Sequence, residues 1–116
     1  MLAATLCCSA IPEREFEIDG PVEQHVSISA KAGQEEAFER TFADVFYPAL
    51  SSQRGFISAS LLREPGTADY IIRLAFQTEE QRTAWVHSDA HNTAWPKLAV
   101  YAGEPTWEGF SLIHPK

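Results

Sequence analysis

A strand pattern followed by a long helix pattern restricts the fold of this chain most strongly. Over residues 22–30, apolar and polar side chains alternate, as in a strand with one buried face. After Gly33, residues 34–50 carry an apolar stripe at helical spacing, with acidic residues near the start, where the helix dipole favours them. The stripe consists of Ala37, Phe38, Phe42, Val45, Phe46 and Ala49. We expect Pro48 to distort or end the last turn.

The next two apolar runs predict a β-hairpin. Residues 56–63 and 69–77 both have strand character, and the segment between them contains the turn dipeptide Pro65-Gly66. Because the two runs are close in sequence, we expect them to pair antiparallel. One face of the second run is expected to carry Tyr70, Ile72, Leu74 and Phe76.

Two helix starts and a final strand complete the pattern. Thr78 is a candidate N-cap, with Gln81 completing a capping box, for a helix that reaches Trp85. Ser88 is a second candidate N-cap, ahead of an apolar spacing from residue 90 to residue 100. Residues 106–113 form the last strand candidate and carry Trp107, Phe110 and Leu112.

The order β-α-β-β-α-β predicts an α+β, ferredoxin-like fold, in which both helices cover one face of a four-stranded antiparallel sheet. The other face stays open, which favours a homodimer. Residues 22–113 form the predicted domain, and residues 1–21 a tail. Within the tail, residues 13–19 allow a short extra strand before the Gly20-Pro21 break.

Composition argues against several function classes. The net charge is −7 and no basic patch is interleaved with aromatics, which argues against nucleic-acid binding. No run of about 18 apolar residues occurs, so we expect no membrane span and a cytoplasmic protein. Cys7 and Cys8 are adjacent, so pairing between them would be strained, and no nearby side chains complete a metal site. Residues 1–10 lack a basic start, so a disordered or docking tail is favoured over a signal-peptide remnant.

Residues 85–96 contain two tryptophans and two histidines, which indicates a small-molecule pocket roofed by a helix. Trp95 follows His91 by four residues, so the two share a helical face. The same spacing suits a packed core cluster. In that alternative, Trp85 packs the second helix against the sheet, and His91 is an ordinary first-turn residue near the Ser88 cap.

Three segments resemble the antibiotic biosynthesis monooxygenase (ABM) family. They are Gly55-Phe56-Ile57, the run from Tyr70 to Phe76, and Trp85-x-x-Ser88-Asp89-x-His91. The resemblance implies a dimeric α/β barrel. In this family, some members oxidise aromatic polyketides with molecular oxygen and no metal or flavin. Others degrade haem, and one branch handles autoinducer-type or quinone-like molecules.

The haem branch matches this chain only in part. Its tryptophan corresponds to Trp85, but its haem-ligating histidine falls ten residues later, at Trp95. Its first-strand asparagine falls at Val26. An indole cannot ligate iron, and valine cannot hydrogen-bond a haem-bound species. Because two of the three haem-branch residues are missing, we expect no cofactor. His91 lies one helical turn earlier and is an alternative ligand, so haem is kept as the lesser alternative.

The resemblance implies a cofactor-independent monooxygenase acting on a small aromatic, phenolic or quinone-like compound. We expect His91 to be the catalytic base. The candidate substrate-binding residues are Trp85, Trp95, Tyr70, Phe76 and Tyr47. The alternative functions are a non-catalytic small-molecule-binding or stress-related protein and, third, a haem-degrading enzyme. On the open face we expect Arg73 to pair with Glu23 or with an acid of the partner chain.

Overall fold

The computed structural model describes residues 15–115. The predictions for Cys7, Cys8 and residues 1–10 lie outside this range. The elements follow the predicted order, with the first helix interrupted by a π-helical turn. They are β1 (Val22–Ser29), α1 (Glu35–Thr41), the π turn (Phe42–Phe46), α2 (Tyr47–Ser51), β2 (Phe56–Arg63), β3 (Asp69–Phe76), α3 (Glu79–Val86), α4 (Asp89–Ala99) and β4 (Thr106–Ser111).

The four strands form one antiparallel sheet in the order β2-β3-β1-β4. The central strand β1 aligns Val26 with Ile72 of β3 on one side and with Trp107 of β4 on the other. The helices pack on the face that carries these side chains, and the core cluster lies between the two layers. The ferredoxin-like fold expected from the sequence is confirmed.

The helix predicted over residues 34–50 contains an irregularity in a different place from the one expected. Pro48 does not end it, since the helix continues to Ser51. A proline cannot donate to the carbonyl four residues before it, here that of Asp44, and its ring crowds that carbonyl. The wider π turn at Phe42–Phe46 surrounds this carbonyl and accommodates the proline.

Both predicted N-caps are confirmed, but the capping box is not. The hydroxyl of Thr78 accepts from the backbone N–H of Gln81 at 3.1 Å, and that of Ser88 accepts from His91 at 3.1 Å. The Gln81 side chain does not reach back to the cap. It lies instead against Gly55, whose φ of +82° and crowded Cα leave no room for a side chain.

The segment before β1 is held to the domain without becoming a strand. Residues 15–19 do not form the short extra strand that the sequence allowed. The backbone N–H groups of Glu15 and Phe16 donate to one carboxylate oxygen of Glu79, at 3.0 and 2.9 Å. The Phe16 ring also covers Gly109 of β4, where a side chain would clash. This segment therefore packs as a strap across one end of the sheet.

Two strand ends differ from the sequence prediction. The third strand ends at Phe76, and the last strand ends at Ser111 rather than at residue 113. Beyond Ser111, the Leu112 N–H still donates to the Pro21 carbonyl at 2.9 Å. Pro21 has no N–H to donate in return, so the ladder stops there.

The other face of the sheet is open and mixed in character. Leu62, Ile71 and Phe110 are exposed large hydrophobic residues. Between them, Arg73 donates to Glu23 at 3.1 Å, which confirms the predicted pairing within the chain. Among residues 15–115, no helix combines the length and apolarity needed to cross a membrane.

Candidate functional site

A cavity of about 140 Å³ lies between the sheet and the helices α3 and α4. All three tryptophans of the chain, Trp85, Trp95 and Trp107, line it. We call it the indole cavity. Its volume suits one aromatic ring, because a protein cavity of about 150 Å³ binds benzene. Its other lining residues are Glu15, Gln24, Val26, Phe46, Ile72, Leu74, Arg82, Val86, His91 and Pro105.

Helices α3 and α4 supply an aromatic wall with defined geometry. The rings of Trp85 and His91 meet edge to face at 5.0 Å, and those of His91 and Trp95 stack with 7° between their planes at 6.2 Å. Phe46 of the π turn packs edge to face on both indoles, at 5.6 and 6.0 Å. Three of the predicted site residues therefore meet in one cluster.

The mouth of the indole cavity lies at the edge strand β4. Trp107 is aligned with Val26 and shares the helix-covered face, yet it remains 53% exposed. Among residues 15–115, no strand pairs with the outer side of β4 and no helix covers Trp107, so its indole borders the cavity while remaining in contact with solvent. A ring in the cavity would therefore have an open path at this edge.

His91 is held in the wall as a neutral imidazole. The Ser88 cap fixes its backbone at the first turn of α4. Burial lowers the pKa of His91 below its usual 6.5; a hydrogen bond with Asn92 opposes this shift, and the charge of His87 adds to it. A neutral imidazole keeps one ring nitrogen free to accept a proton. The position therefore suits a general base near neutral pH.

A buried ion pair supports the polar side of the indole cavity. Arg82 and Glu79 have side chains 1% exposed and form two hydrogen bonds of 2.7 Å each. A third donor of Arg82 reaches the Oε1 atom of Gln24 at 3.1 Å. Burial alone would raise the pKa of Glu79. Hydrogen bonds from Arg82 and from the backbone of Phe16 and Glu15 outweigh burial and lower that pKa.

The strap joins the same network from the other side. The Phe16 ring lies 4.4 Å from the Arg82 guanidinium carbon, and a Glu15 carboxylate oxygen lies 3.5 Å from one of its nitrogens. Gln24 and Arg82 were not predicted from the sequence to belong to the site. The signal was present in part, since Gln24 is a polar residue on the otherwise apolar face of β1.

The structure does not bring the other three predicted substrate-binding residues to the indole cavity. Tyr70 packs on Phe38, and its hydroxyl donates to Glu39. Burial and this carboxylate raise the pKa of Tyr70 to about 12, so it holds its proton. Phe76 is fully buried in the core. Tyr47 is exposed. Only Ile72 and Leu74 of the inward side chains on β3 line the cavity.

The indole cavity does not fit haem. Its space matches one ring, whereas a porphyrin joins four pyrroles. His91 packs against the indoles of Trp85 and Trp95, and the position ten residues after Trp85 is the indole of Trp95. Within residues 15–115, no group of three or more His, Cys, Asp or Glu side chains is placed to hold a metal ion.

A ferredoxin-like sheet with an aromatic cavity beneath helices α3 and α4 defines a class of small α+β domain. The sequence model of the antibiotic biosynthesis monooxygenase family matches residues 21–96, which is more than half of the chain. The chain belongs to this family, as the sequence resemblance indicated. Comparison with curated protein sequences finds no match.

Solved structures show the same fold at low sequence identity. SnoaB, a cofactor-independent oxygenase from Streptomyces nogalater, has 17% identity and a TM-score of 0.73, covering 84% of this chain and 99% of its own. A proposed antibiotic biosynthesis monooxygenase from Caulobacter crescentus has 14% identity and a TM-score of 0.74, covering 83% and 92%. Another from Nitrosomonas europaea has 15% identity and a TM-score of 0.73, covering 84% and 94%.

Proposed function

We propose that this protein is a cofactor-independent monooxygenase that oxidises a small aromatic, phenolic or quinone-like compound with molecular oxygen. The observation that carries the proposal is a neutral His91 in the wall of a cavity sized for one aromatic ring. Family membership and the fold shared with SnoaB, itself a cofactor-independent oxygenase, support it.

His91 would remove the proton of a phenolic hydroxyl. The resulting anion is electron-rich and supplies the electrons that reduce oxygen. One oxygen atom enters the ring as a carbonyl and the other leaves as water, so a phenol would yield a quinone without an external reductant. The indoles of Trp85 and Trp95 would hold the ring and exclude water, which strengthens the interactions made by the anion.

Oxygen uptake with a panel of hydroquinones and naphthols tests this proposal. His91→Ala and His91→Gln should each lower turnover by about 10²–10⁴-fold while leaving the melting temperature near that of wild type, because the base alone is lost. His114→Gln is the matched control, since His114 is exposed, does not line the cavity and is not among the groups that shift the pKa of His91. Undiminished uptake by a well-folded His91→Ala would remove His91 from the mechanism.

A non-catalytic binding protein is the second candidate function. The aromatic wall binds a ring whether or not His91 acts as a base, because stacking and burial need no proton transfer. This candidate predicts that the same compounds raise the melting temperature while oxygen uptake stays at the rate of buffer alone. Turnover above that rate would exclude it.

We also propose that the protein is a homodimer joined through the open face of the sheet. Leu62, Ile71 and Phe110 expose apolar area there that no helix among residues 15–115 covers. Pairing two such faces would bury this area. Light scattering should therefore give about twice the 12.9 kDa chain mass. A monodisperse monomer at micromolar concentration would contradict this assembly.

A further inference from the structure

We propose that the side-chain NH₂ of Gln24 donates a hydrogen bond to an acceptor oxygen of the bound ligand and so determines which rings the indole cavity selects. This inference rests on the proposed function, in which the cavity binds a small aromatic compound. Gln24 is only 7% exposed, lies on the central strand and lines the cavity.

The orientation of the Gln24 amide follows from its neighbour. The guanidinium of Arg82 carries only donors and stays protonated in proteins. The atom of Gln24 that meets Arg82 at 3.1 Å must therefore be the carbonyl oxygen. This leaves the NH₂ group, with two donors, as the end directed away from Arg82. The described residues give this nitrogen no acceptor.

Arg82 is held in place by its other contacts, so it acts as a positioning residue for Gln24. Glu79 holds it through two hydrogen bonds of 2.7 Å, and the Phe16 ring lies against its guanidinium. The Gln24 amide is therefore fixed before any ligand arrives. A fixed donor disfavours ligands that leave it unpaired, because an unmet buried polar group costs more than one hydrogen bond gains.

Two of the polar side chains that line the indole cavity, His91 and Gln24, indicate the ligand class. The neutral His91 offers a ring nitrogen that accepts, and Gln24 offers hydrogens that it donates. A ring oxygen that is a carbonyl, or that becomes an oxyanion once its proton has left, meets the Gln24 donor. We infer a single-ring phenol, hydroquinone or quinone rather than an aromatic hydrocarbon.

Two isosteric probes test the donor directly. Acetophenone carries a carbonyl where α-methylstyrene carries a CH₂ group, so calorimetric titration of both gives a ratio of dissociation constants that cancels shape and most apolar contact. We expect Gln24→Met to shift this ratio against acetophenone by about threefold to tenfold relative to wild type. An unchanged ratio in a folded Gln24→Met, or a wild type that binds neither probe, would overturn the proposal.

Gln24→Glu is the second variant, because it keeps an oxygen for Arg82 and replaces the NH₂ group directed away from Arg82 with another oxygen. Measured at pH 8, it should shift the ratio against acetophenone at least as far as Gln24→Met does. A ratio that stays at the wild-type value would show that the end of Gln24 facing the cavity does not contact the ligand.

The positioning role of Arg82 has its own readout. Arg82→Lys keeps a donor-only partner for Gln24 and should retain the wild-type probe ratio. Arg82→Gln can accept as well as donate, so most of the preference for acetophenone over α-methylstyrene should be lost. Equal ratios in both variants would overturn the positioning role. The probe ratio is measured without turnover, so a failure of oxygen uptake would reject the proposed function and leave this inference standing. An unchanged probe ratio in an active enzyme would reject this inference alone.

Discussion

The helix-covered face of the sheet uses the same components at its two ends, but only one end borders the indole cavity. At the end that we call the packed end, the guanidinium of Arg63 lies 5.4 Å from the Tyr70 ring centre and 2.9 Å from the Glu39 carboxylate. The side chains of Arg63 and Glu39 are both 42% exposed. Water therefore reaches this ion pair, and the aromatic rings beside it fill their space.

At the cavity end, the same grouping is buried. The guanidinium of Arg82 lies 4.4 Å from the Phe16 ring centre and 2.7 Å from Glu79, and both charged side chains are 1% exposed. Removing two charges from water is costly, and the attraction between them offsets that cost only with good geometry and further hydrogen bonds. Glu79 has such bonds from the strap and from Thr83.

The difference indicates what each ion pair does. An exposed pair is worth about 0–1 kcal/mol and fixes little. A buried pair adds little net stability over a well-packed apolar one, but its two members cannot be separated without a large loss. At the cavity end, this rigidity orients Gln24 and holds the strap beside the indole cavity. The packed end does not border the indole cavity and needs no such orientation.

Removing one arginine from each end should give the largest contrast. Arg82→Ala leaves the buried Glu79 carboxylate without its cation and should lower the free energy of unfolding by about 3–5 kcal/mol. Arg63→Ala, its matched control, should lower it by less than about 1 kcal/mol, because its partner is solvated. Urea denaturation of both variants beside wild type measures the two values. Similar losses would show that the Arg82–Glu79 pair is not the more tightly coupled one.

Truncating one aromatic ring at each end should give a smaller contrast. Phe38→Ala, at the packed end, should cost about 3–5 kcal/mol because Phe38 is fully buried. Trp95→Ala should cost at least about 1 kcal/mol less, although indole is larger, because one side of this indole already borders empty space and lacks contacts there. Thermal and urea unfolding compare the two. A Trp95→Ala loss equal to that of Phe38→Ala would mean that the indole cavity is closed in solution.

The fold was accessible from the sequence because its signals are local. Alternation over β1 specifies which side chains face the helices, and Thr78 and Ser88 mark helix starts through bonds that span three residues. The π turn was missed because apolar spacing specifies a stripe and not the number of residues in each turn. Its position depends on how Pro48 meets the preceding carbonyl.

The site was accessible only in part, because alternation gives the direction of a side chain and not the space beyond it. Tyr70 and Leu74 share one face of β3, yet only Leu74 reaches the indole cavity. The hydrogen bond between Arg82 and Gln24 joins residues 58 positions apart, and nothing local in the sequence specifies it. The pairing of Trp85, His91 and Trp95 was visible because all three lie within eleven residues of the chain.

The pH dependence of stability gives the smallest contrast and isolates the cavity end. The pKa of His91 is lowered in the folded protein, so below about pH 6.5 the unfolded chain binds a proton that the folded protein resists. Stability contributed by neutral His91 is therefore present at pH 7.5 and lost as the pH falls through 6.5 toward the folded pKa.

His91→Gln should lose less stability than wild type between pH 7.5 and pH 5.5, by at most about 1.4 kcal/mol per pH unit. Between pH 7.5 and pH 8.5, where this histidine is neutral in both states, the two proteins should show parallel curves, which serves as the internal control. Urea titrations across this range measure both windows, and equal acid slopes in the two proteins would show that His91 is solvated rather than held between the indoles of Trp85 and Trp95.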